Sequence, residues 1–443
     1  MNALRQSGPL DNAKLQIDAY RAKGIPIPDD FIKSVNAAPA KQPAEQNGQG
    51  GQKPKRAPIT TSDVRELLQQ SGIQVRQNLL SGQIEVTGLP ERYSGANALN
   101  TLPTIVGDFL KEWEGRSCSR ATIEDALVLI ADENRYNPVA DWLRSIKHDG
   151  VDRLPELHRI LGISQGTPES TYLRKWMLQC IALVLNDETN PIGADGVLVL
   201  QGPQGCGKTR FFSVLSVKSD WFAEGVSIDT DRVDSIIQST GVWLAELGEL
   251  DSTLKREQSA LKAFLTQSRD TFRLPYAKAS IRRPRRTSFC ATVNPDGFLN
   301  DDSGSRRYWI IPVDHIDVRA LNALTSEWLA QLWAQVFEVY KKNPQGFRLT
   351  SEERELLTAS NSRFDKPLPF EIEIRDRLQY GLPVEKWEWY KTSDLKPYIP
   401  GYATGEQIGR VLRKLAKEDS RIVIKTPGNI RHYLLPLVRS SFM

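Results

Sequence analysis

The stretch GPQGCGKT has the residue types and the spacing of a phosphate-binding loop. It fits the pattern G-x-x-x-x-G-K-[ST]. It follows the apolar run GVLVLQ and precedes the helical pattern RFFSVLS, which is the strand, loop and helix context that the pattern requires. This phosphate loop consists of Gly202, Pro203, Gln204, Gly205, Cys206, Gly207, Lys208 and Thr209.

The chemistry of such a loop is the binding of a nucleoside triphosphate. Glycine allows backbone N–H groups to wrap round phosphates at a helix N-terminus, where the helix dipole favours negative charge. We expect Lys208 to neutralise the β- and γ-phosphates of ATP and the Thr209 hydroxyl to hold Mg²⁺. The alternative is a chance match in a loop that binds no nucleotide, and the flanking strand and helix argue against it.

A second group of candidate residues is acidic and follows an apolar run in GVWLAELGELD. Glu246 comes first, and Glu249 and Asp251 follow. The usual residue at the metal position of such a strand is Asp, so Glu246 departs from the pattern. We assign Glu246 to the Mg²⁺ shell and Glu249 to orienting the attacking water, although the two roles could be exchanged. Otherwise both are exposed acids beyond the end of a strand.

Polar residues also accompany two later apolar runs. TSFCATVN ends on Asn294, and ligands of open α/β sheets collect at the carboxyl ends of strands. Its amide could therefore hydrogen-bond the γ-phosphate or the attacking water. Arg306 and Arg307 lead the run YWIIPV, and adjacent strand residues point to opposite faces, so the two need not share a partner. That partner is a phosphate or a carboxylate.

A basic run, residues 262–286, lies between the acidic strand and Asn294. Cations beside aromatic side chains suit single-stranded nucleic acid, which presents phosphates and base faces. A solvated basic face is the alternative for any one of them. The cations are Lys262, Arg269, Arg273, Lys278, Arg282, Arg283, Arg285 and Arg286, with Phe272 and Tyr276 among them.

Four apolar runs alternate with helical patterns between about residues 170 and 345, which predicts the buried sheet of an α/β domain over residues 166–345. Residues 61–165 are predicted to form a mainly helical domain. Its first helix is capped by Thr61 or Ser62 and closed by Gly72, and the hairpin pattern QVRQNLLSGQIEVTG follows. Residues 1–60 are predicted to be a flexible segment and linker, because residues 38–58 are rich in Ala, Pro, Gln and Gly.

Residues 346–443 are predicted to form a small winged-helix-like domain. Thr404 and Gln407 form a capping box, an amphipathic helix follows, and RIVIKTPGNIRHYLL has the pattern of a hairpin. Such modules contact either DNA or other proteins, and the sequence leaves both open.

Composition narrows the class of protein. The chain has 443 residues, 40% of them hydrophobic and 25% charged, which is typical of a soluble protein of two or three domains. No run is long enough to span a membrane and the N-terminus lacks the apolar core of a secretory signal, so we expect a cytoplasmic protein. Four scattered cysteines indicate free thiols. A net charge of +4 is too small to argue for nucleic-acid binding alone.

The order of these parts resembles the ring-forming helicases of superfamily three and their AAA+ relatives. More specifically, six segments in order are similar to the virulence-associated protein E (VapE) family, the helicase-like replication ATPases of phages, phage satellites and genomic islands. The resemblance covers about residues 60–345. Its segments are NRYNPVADWLRSIKHDGVDRL, LVLQGPQGCGKTRFF, VWLAELGELD, ALKAFLTQSRDTFRLPYAK, RRTSFCATVNPDGFL and GSRRYWIIPV.

The resemblance implies an AAA+ or superfamily-three-like core that assembles into a ring, with a hexamer as the expected size. Arg306 or Arg307 would then be an arginine finger that reaches the ATP of the adjacent subunit. An internal salt bridge to Asp301, Asp302 or Glu249 is the alternative. In the related helicases the basic region forms a hairpin in the ring channel, which makes Arg273, Lys278 and Arg282 the candidate DNA contacts.

The sequence thus leads to the expectation of an ATP-dependent DNA helicase or translocase, with ATP and Mg²⁺ as cofactors. It would act in replication of a phage or mobile element in the cytoplasm of a bacterial host. Its expected partners are single-stranded DNA, further copies of itself and replication proteins of the host or element, without a membrane. One alternative is a loader or switch that remodels a DNA-bound complex without unwinding. A nucleotide-binding protein without turnover is another.

Overall fold

The structure is a computed structural model that describes residues 57–93, 95, 97–248, 258–273, 280–294, 299, 305–364, 367–399 and 401–437. The chain forms two compact units, residues 1–146 and 147–443. The domain boundaries expected after residues 165 and 345 stay predictions. None of the helices within the described ranges is long and apolar enough to cross a membrane.

The first unit packs helices against a small sheet. Its helices are α1 (Thr61–Gln70), α2 (Ala98–Phe109), a π-helical turn (Leu110–Glu114), α3 (Arg120–Glu133) and α4 (Pro138–Ser145). Its strands are β1 (Gln74–Asn78), β2 (Ile84–Thr87) and β3 (Arg135–Tyr136), in the order β2-β1-β3. β1 and β2 pair antiparallel, which confirms the predicted hairpin. Apolar residues of α1, α2 and α3 form the core with β1.

The start of α1 corrects one expectation. Thr60, rather than Thr61 or Ser62, is the N-cap, because its hydroxyl accepts from the Asp63 N–H while the Asp63 carboxylate accepts from the Thr60 N–H at 2.7 Å. The capping residue precedes the first helical residue, so a run of three candidate hydroxyls left the boundary one residue uncertain. The helix ends at Gln70, and Gly72 follows in the left-handed region with φ of 70°.

The second unit is built on a five-stranded parallel sheet. Its first helices are α5 (Leu154–Leu161), α6 (Pro168–Val184), α7 (Lys208–Leu215), α8 (Val233–Thr240) and α9 (Gln258–Thr266). Its strands are β4 (Val197–Gln201), β5 (Phe222–Val226), β6 (Leu244–Leu247), β7 (Arg269–Phe272), β8 (Ile281–Pro284), β9 (Ser288–Val293) and β10 (Tyr308–Pro312). Helices α10 (Val318–Ala323), α11 (Ser326–Lys342) and α12 (Ser351–Asn361) follow.

The strand order of this sheet is β10-β4-β9-β6-β5. The four apolar runs become β4, β6, β9 and β10, which confirms the predicted α/β sheet. Alternate side chains of the strands are buried with residues of α9 in one core. The fifth strand, β5, lies at an edge and is only partly buried, which explains why its sequence FAEGV carries no apolar run. β7 and β8 form a separate antiparallel hairpin.

The last part of the second unit, residues 367–437, has its own apolar cluster. It contains α13 (Glu371–Arg375), β11 (Glu388–Tyr390), α14 (Thr392–Leu395), α15 (Gly405–Glu418), β12 (Ile424–Lys425) and β13 (His432–Leu435). Its three strands are antiparallel in the order β11-β13-β12. The Thr404 capping box and the C-terminal hairpin are confirmed. The winged-helix assignment itself stays a prediction, as does the helical class of the N-terminal domain.

Short 3-10 segments connect these elements. They are Glu91–Tyr93, Ser219–Trp221, Ser305–Arg307, Ser362–Phe364, Val384–Lys386, Lys396–Tyr398 and Pro427–Asn429. We call Ser305–Arg307, which directly precedes β10, the arginine turn.

Candidate nucleotide-binding site

The phosphate loop connects the carboxyl end of β4 to the first residue of α7. Gly205 and Gly207 have φ of 80° and 99°, values in the left-handed region that glycine adopts without strain. A Cβ on Gly202 would lie 1.9 Å from the carbonyl oxygen of Val313, so a larger residue would force the loop away from β10. The backbone conformation at Gly205 and Gly207 and the close packing at Gly202 therefore favour glycine at all three positions.

Lys208 is the first residue of α7 and is 6% exposed. Its ammonium group donates to the carbonyl oxygens of Gly202 and Pro203 at 2.7 and 2.6 Å, and to Asn294 Oδ1 at 2.9 Å. An ammonium group has three N–H donors, so these three contacts use all of them. The ammonium group of Lys208 is thus fixed between the first two residues of the phosphate loop and Asn294. The contact also confirms that Asn294, directly after β9, reaches the same edge of the sheet as the loop.

Thr209 contacts the acidic strand. Its hydroxyl donates to Glu246 Oε1 at 2.7 Å, and the hydroxyl of Thr292 on β9 donates to the same oxygen at 2.8 Å. Glu246 itself is 2% exposed. The structure therefore brings the two predicted Mg²⁺ ligands, Thr209 and Glu246, into direct contact. Hydroxyl and carboxylate oxygens are ligands that Mg²⁺ prefers, so the pair fits the ion.

The carboxyl group of Glu246 is in an unfavourable environment for its charge. Burial raises its pKa above the usual 4.5 and the nearby Glu224 carboxylate raises it further, while hydrogen bonds from Thr209 and Thr292 and the charge of Lys208 lower it. The net shift is upward. Keeping this carboxylate buried costs stability at neutral pH, as is common for groups placed for function rather than folding.

We expect Glu246→Gln to stabilise the chain at pH 7. A pKa raised on folding means that the wild-type chain loses stability as pH rises above the unfolded carboxyl value of 4.5, and the amide avoids that loss. The gain in Tm should be present at pH 7 and should shrink as pH falls toward 4.5. Thermal unfolding across this pH range measures it.

Glu338→Gln is the matched control for that experiment. Its exposed carboxylate is paired with Lys341 at 2.6 Å, and the hydrogen bond from Lys341 lowers the pKa of Glu338. The sign is opposite, so this variant should show no gain at pH 7. An equal gain in both variants would show that the effect is general surface charge rather than the burial of Glu246.

Arg306 and Arg307 lie at the amino ends of the strands, opposite the end at which the phosphate loop lies. They were expected to begin the strand, but they form the arginine turn before it, and β10 starts at Tyr308. β10 is parallel to β4, with Tyr308 opposite Val197 and Pro312 opposite Gln201. The two arginines therefore lie at the amino end of the sheet and the phosphate loop lies at its carboxyl end. The five residues of β10 separate the two ends of the sheet by roughly 17 Å.

Both arginines are accessible. Arg306 is exposed and Arg307 is half-buried, and neither side chain has a hydrogen bond or ion pair with any residue that the structure describes. Their suggested acidic partners, Asp301, Asp302 and Glu249, lie outside the described residues, so the proposed role of Glu249 also stays a prediction.

The basic run divides into internal and exposed residues. Arg285 and Arg286 are buried, Arg283 donates to Thr240 Oγ1 at 2.9 Å, and Arg269 donates to the Glu188 carbonyl oxygen at 2.6 Å. The expectation of an exposed basic residue is wrong for Arg285 and Arg286, which the fold buries, while Arg283 is half-buried.

Two of the DNA-contact candidates remain on the surface. Arg282 is exposed on β8, opposite Thr271 of β7, and Arg273 is exposed directly after β7. Lys278 lies outside the described residues. The hairpin thus presents at least these two cations, and their role in DNA binding stays a prediction.

The base of the β7–β8 hairpin contains a buried ion pair. Asp270 and Arg285 are each 1% exposed, and Arg285 Nε lies 2.9 Å from both carboxylate oxygens of Asp270. Gln267 donates to Asp270 Oδ1 at 2.9 Å, and the guanidinium of Arg285 lies 4.3 Å from the ring centroid of Phe264. This pair joins the hairpin to α9 and to the core.

Sequence reasoning missed two residues of this region, Thr292 and Asp270. Thr292 stands in the apolar run SFCATV, and a polar residue inside a buried strand is a detectable signal of a buried hydrogen-bond partner. Asp270 gave no such signal, because an acid among many arginines resembles a surface residue.

No curated protein matches the chain in sequence. Two solved apo structures of the NrS-1 C-terminal region, both in the A form, are each 12% identical to it, with TM-scores of 0.45 and 0.44. In each case 85% of this chain and 100% of that chain are covered. Similarity at this level is too low to assign a fold or a function.

The family comparison is more specific. The family model of the virulence-associated protein E-like domain matches residues 143–366, which is half of the chain. The match contains the phosphate loop, Glu246, Asn294, the β7–β8 hairpin and the arginine turn. This confirms the resemblance found in the six ordered segments: the chain belongs to the virulence-associated protein E-like family.

Proposed function

We propose that this chain is an ATP hydrolase that acts on DNA, as a helicase or translocase, in replication of a phage or mobile element. One observation carries the enzymatic part. Three separate segments meet through hydrogen bonds at the carboxyl edge of a parallel sheet: Lys208 and Thr209 begin α7, Glu246 lies on β6, and Asn294 directly follows β9. That edge is where α/β sheets bind nucleotides.

The residues of the loop would bind ATP and Mg²⁺. Lys208 and the N–H groups at the start of α7 would hold the β- and γ-phosphates, and Thr209 with Glu246 would hold the metal. The metal ion, when bound, would neutralise charge on the transferring phosphoryl group. Because all three donors of Lys208 already have acceptors, a phosphate must replace at least one of them.

The position of the arginine turn supports the proposal that an arginine of one subunit acts on the ATP of another. A side chain at the amino edge of the sheet cannot cross roughly 17 Å of strand to reach the phosphate loop of its own chain. If Arg306 or Arg307 stabilises the transferring phosphoryl group, the ATP must therefore belong to another subunit. This favours a ring oligomer, with a hexamer as the proposed size, and each subunit alone would have an incomplete site.

The proposed DNA contact rests on the hairpin. Arg273 and Arg282 are exposed on the same β-hairpin, while the arginines at its base are buried in the core. A hairpin with exposed cations on a rigid base is suited to follow a phosphate backbone. The replication setting comes from the membership in the virulence-associated protein E-like family and from the resemblance to superfamily-three helicases.

The decisive experiment is the steady-state rate of ATP hydrolysis by the purified chain, titrated with a single-stranded oligonucleotide. We expect hydrolysis that DNA stimulates, and a loss of about 10²–10³-fold or more in Lys208→Ala, because one preorganised charge on the phosphates is worth that much. Lys341→Ala, which removes an exposed lysine of α11, should keep the wild-type rate.

The outcomes separate the possible functions. A wild-type rate no higher than that of Lys208→Ala, with and without DNA, would leave a nucleotide-binding protein without turnover. If DNA stimulates hydrolysis, displacement of a labelled strand from a forked duplex is the next measurement. Stimulated hydrolysis without displacement would replace the helicase with a loader or switch.

A further inference from the structure

A cavity of about 320 Å³ lies in the second unit, away from the phosphate loop. Residues of α6, the C-terminal half of α11, the segment 343–350 and the start of α12 line it. We call it the cationic cavity, because Arg174, Lys175 and Arg348 line it with Glu353 as the one carboxylate, a net charge of +2. No part of the predicted ATPase mechanism uses these residues.

Lys175 pairs with Glu353, the only acidic residue that lines the cavity. Lys175 is 6% exposed, and its ammonium group donates to Glu353 Oε2 and to the Arg348 carbonyl oxygen, both at 2.6 Å. Glu353 Oε2 also accepts from the N–H of Thr350 at 2.7 Å. The charge of Glu353 is therefore offset by that of Lys175, and the net positive charge of the lining comes from the two arginines.

The arginines retain donors for a ligand. Arg174 is half-buried, and its side chain makes no hydrogen bond or ion pair with any residue in the described ranges. Arg348 donates from Nε to Gln345 Oε1 at 3.1 Å, and its Nη1 lies 3.7 Å from Asp195 Oδ1. Asp195 is shared with Arg354 at 3.3 Å and with the N–H of Leu349 at 3.0 Å, so it does not saturate Arg348.

These properties define the chemistry of the ligand. Guanidinium groups present planar forks of N–H donors that match the oxygens of a phosphate. The volume is that of a small-ligand site, and the lining has amides at Asn343 and Gln345 but no aromatic ring on which a base could stack. We propose that the cationic cavity binds a small phosphate-bearing anion, of the size of pyrophosphate, between Arg174 and Arg348.

This site is distinct from the phosphate loop. Arg348 is next to Asp195, two residues before β4, whereas the loop follows β4. The two therefore lie at opposite ends of the same strand, roughly 17 Å apart or more. One chain would thus bind phosphate at two places, and the second does not depend on hydrolysis of ATP.

Titration calorimetry with pyrophosphate tests the site. The full-length Lys208→Ala chain serves as the background, because the phosphate loop would bind the same probe. We expect this chain to retain one site, and we expect Arg174→Gln in the same background to weaken it by about tenfold or more, since one charge-assisted hydrogen bond is lost. Arg348→Gln is a second variant, in case Arg174→Gln lowers the Tm.

Lys341→Gln in the same background is the matched control, because it removes one positive charge from α11 outside the lining. Its affinity should equal that of Lys208→Ala alone. The proposal is wrong if Lys208→Ala binds no pyrophosphate, or if the folded Arg174 and Arg348 variants bind it as tightly as the control. A short oligothymidine that competes as well as pyrophosphate would show instead that the site takes DNA phosphates.

Discussion

Mixing Lys208→Ala chains with Arg307→Ala chains is expected to restore part of the ATP hydrolysis that each variant lacks alone. The arginine turn lies at the opposite end of the sheet from its own phosphate loop. Under the proposed mechanism, a complete site would therefore need one intact Lys208 and one intact arginine from different subunits. An arginine finger contributes about 10³–10⁵-fold to such a rate. Each single variant should therefore be almost inactive, and Arg307→Ala should still bind ATP.

The same mixing with Arg306→Ala identifies which of the two arginines acts. Only the variant that lacks the finger should be inactive alone and active in the mixture. Arg410→Ala, an exposed arginine of α15, should keep the wild-type rate. If labelled subunits are shown to exchange and no activity returns with either variant, the arginines do not act across an interface.

Arg285→Met is expected to destabilise the second unit by about 3–5 kcal/mol, because it leaves the Asp270 carboxylate buried without its partner. Both side chains are 1% exposed, so water cannot replace the lost contact. Chemical unfolding of the purified chain, followed by tryptophan fluorescence, measures the change. We expect a comparable loss in Asp270→Leu, which leaves the arginine charge unpaired.

The double variant Asp270→Leu with Arg285→Met provides the stringent comparison. Removing both charges should recover most of the stability, since buried pairs contribute little relative to apolar residues of similar size. Arg410→Met breaks an exposed pair with Glu406 and should cost less than about 1 kcal/mol. A double variant as unstable as either single variant would mean that the site depends on shape and hydrogen bonds rather than on charge balance.

The double variant also tests the role of the hairpin base. If the pair serves to orient Arg273 and Arg282, the double variant should fold and hydrolyse ATP without DNA at the wild-type rate, but DNA should stimulate it less. Equal stimulation in both proteins would restrict the Asp270–Arg285 pair to a role in folding.

Much of the site could be predicted from the sequence, because its parts are local. A phosphate loop is one continuous segment between a strand and a helix, so GPQGCGKT alone specifies the glycine positions, Lys208 and Thr209. The buried strands are continuous apolar runs for the same reason: both of their faces are covered. Capping boxes and hairpins are likewise read from a few adjacent residues, and a boundary error of one residue at Thr60 is the usual limit.

The order of the strands depends on the whole fold. Nothing in the sequence places β9 between β4 and β6, yet this order brings Asn294 to Lys208 and Thr292 to Glu246. The edge strand β5 was missed because partial burial requires no apolar run.

The location of charged side chains, on the surface or in the core, was the property that the sequence alone predicted least well. A run of arginines has the same composition whether its members are exposed or buried, and only the packing of β7 and β8 separates Arg282 on the surface from Arg285 in the core. The position of Arg306 and Arg307 relative to the phosphate loop likewise depends on the tertiary structure and not on the local sequence. The sequence by itself determined that a phosphate-loop pattern, an acidic strand and two arginines occur in this order, because each is a local pattern. The tertiary structure alone decided that the arginines lie a full strand away from their own loop, because distance across a parallel sheet is set by how its strands are paired.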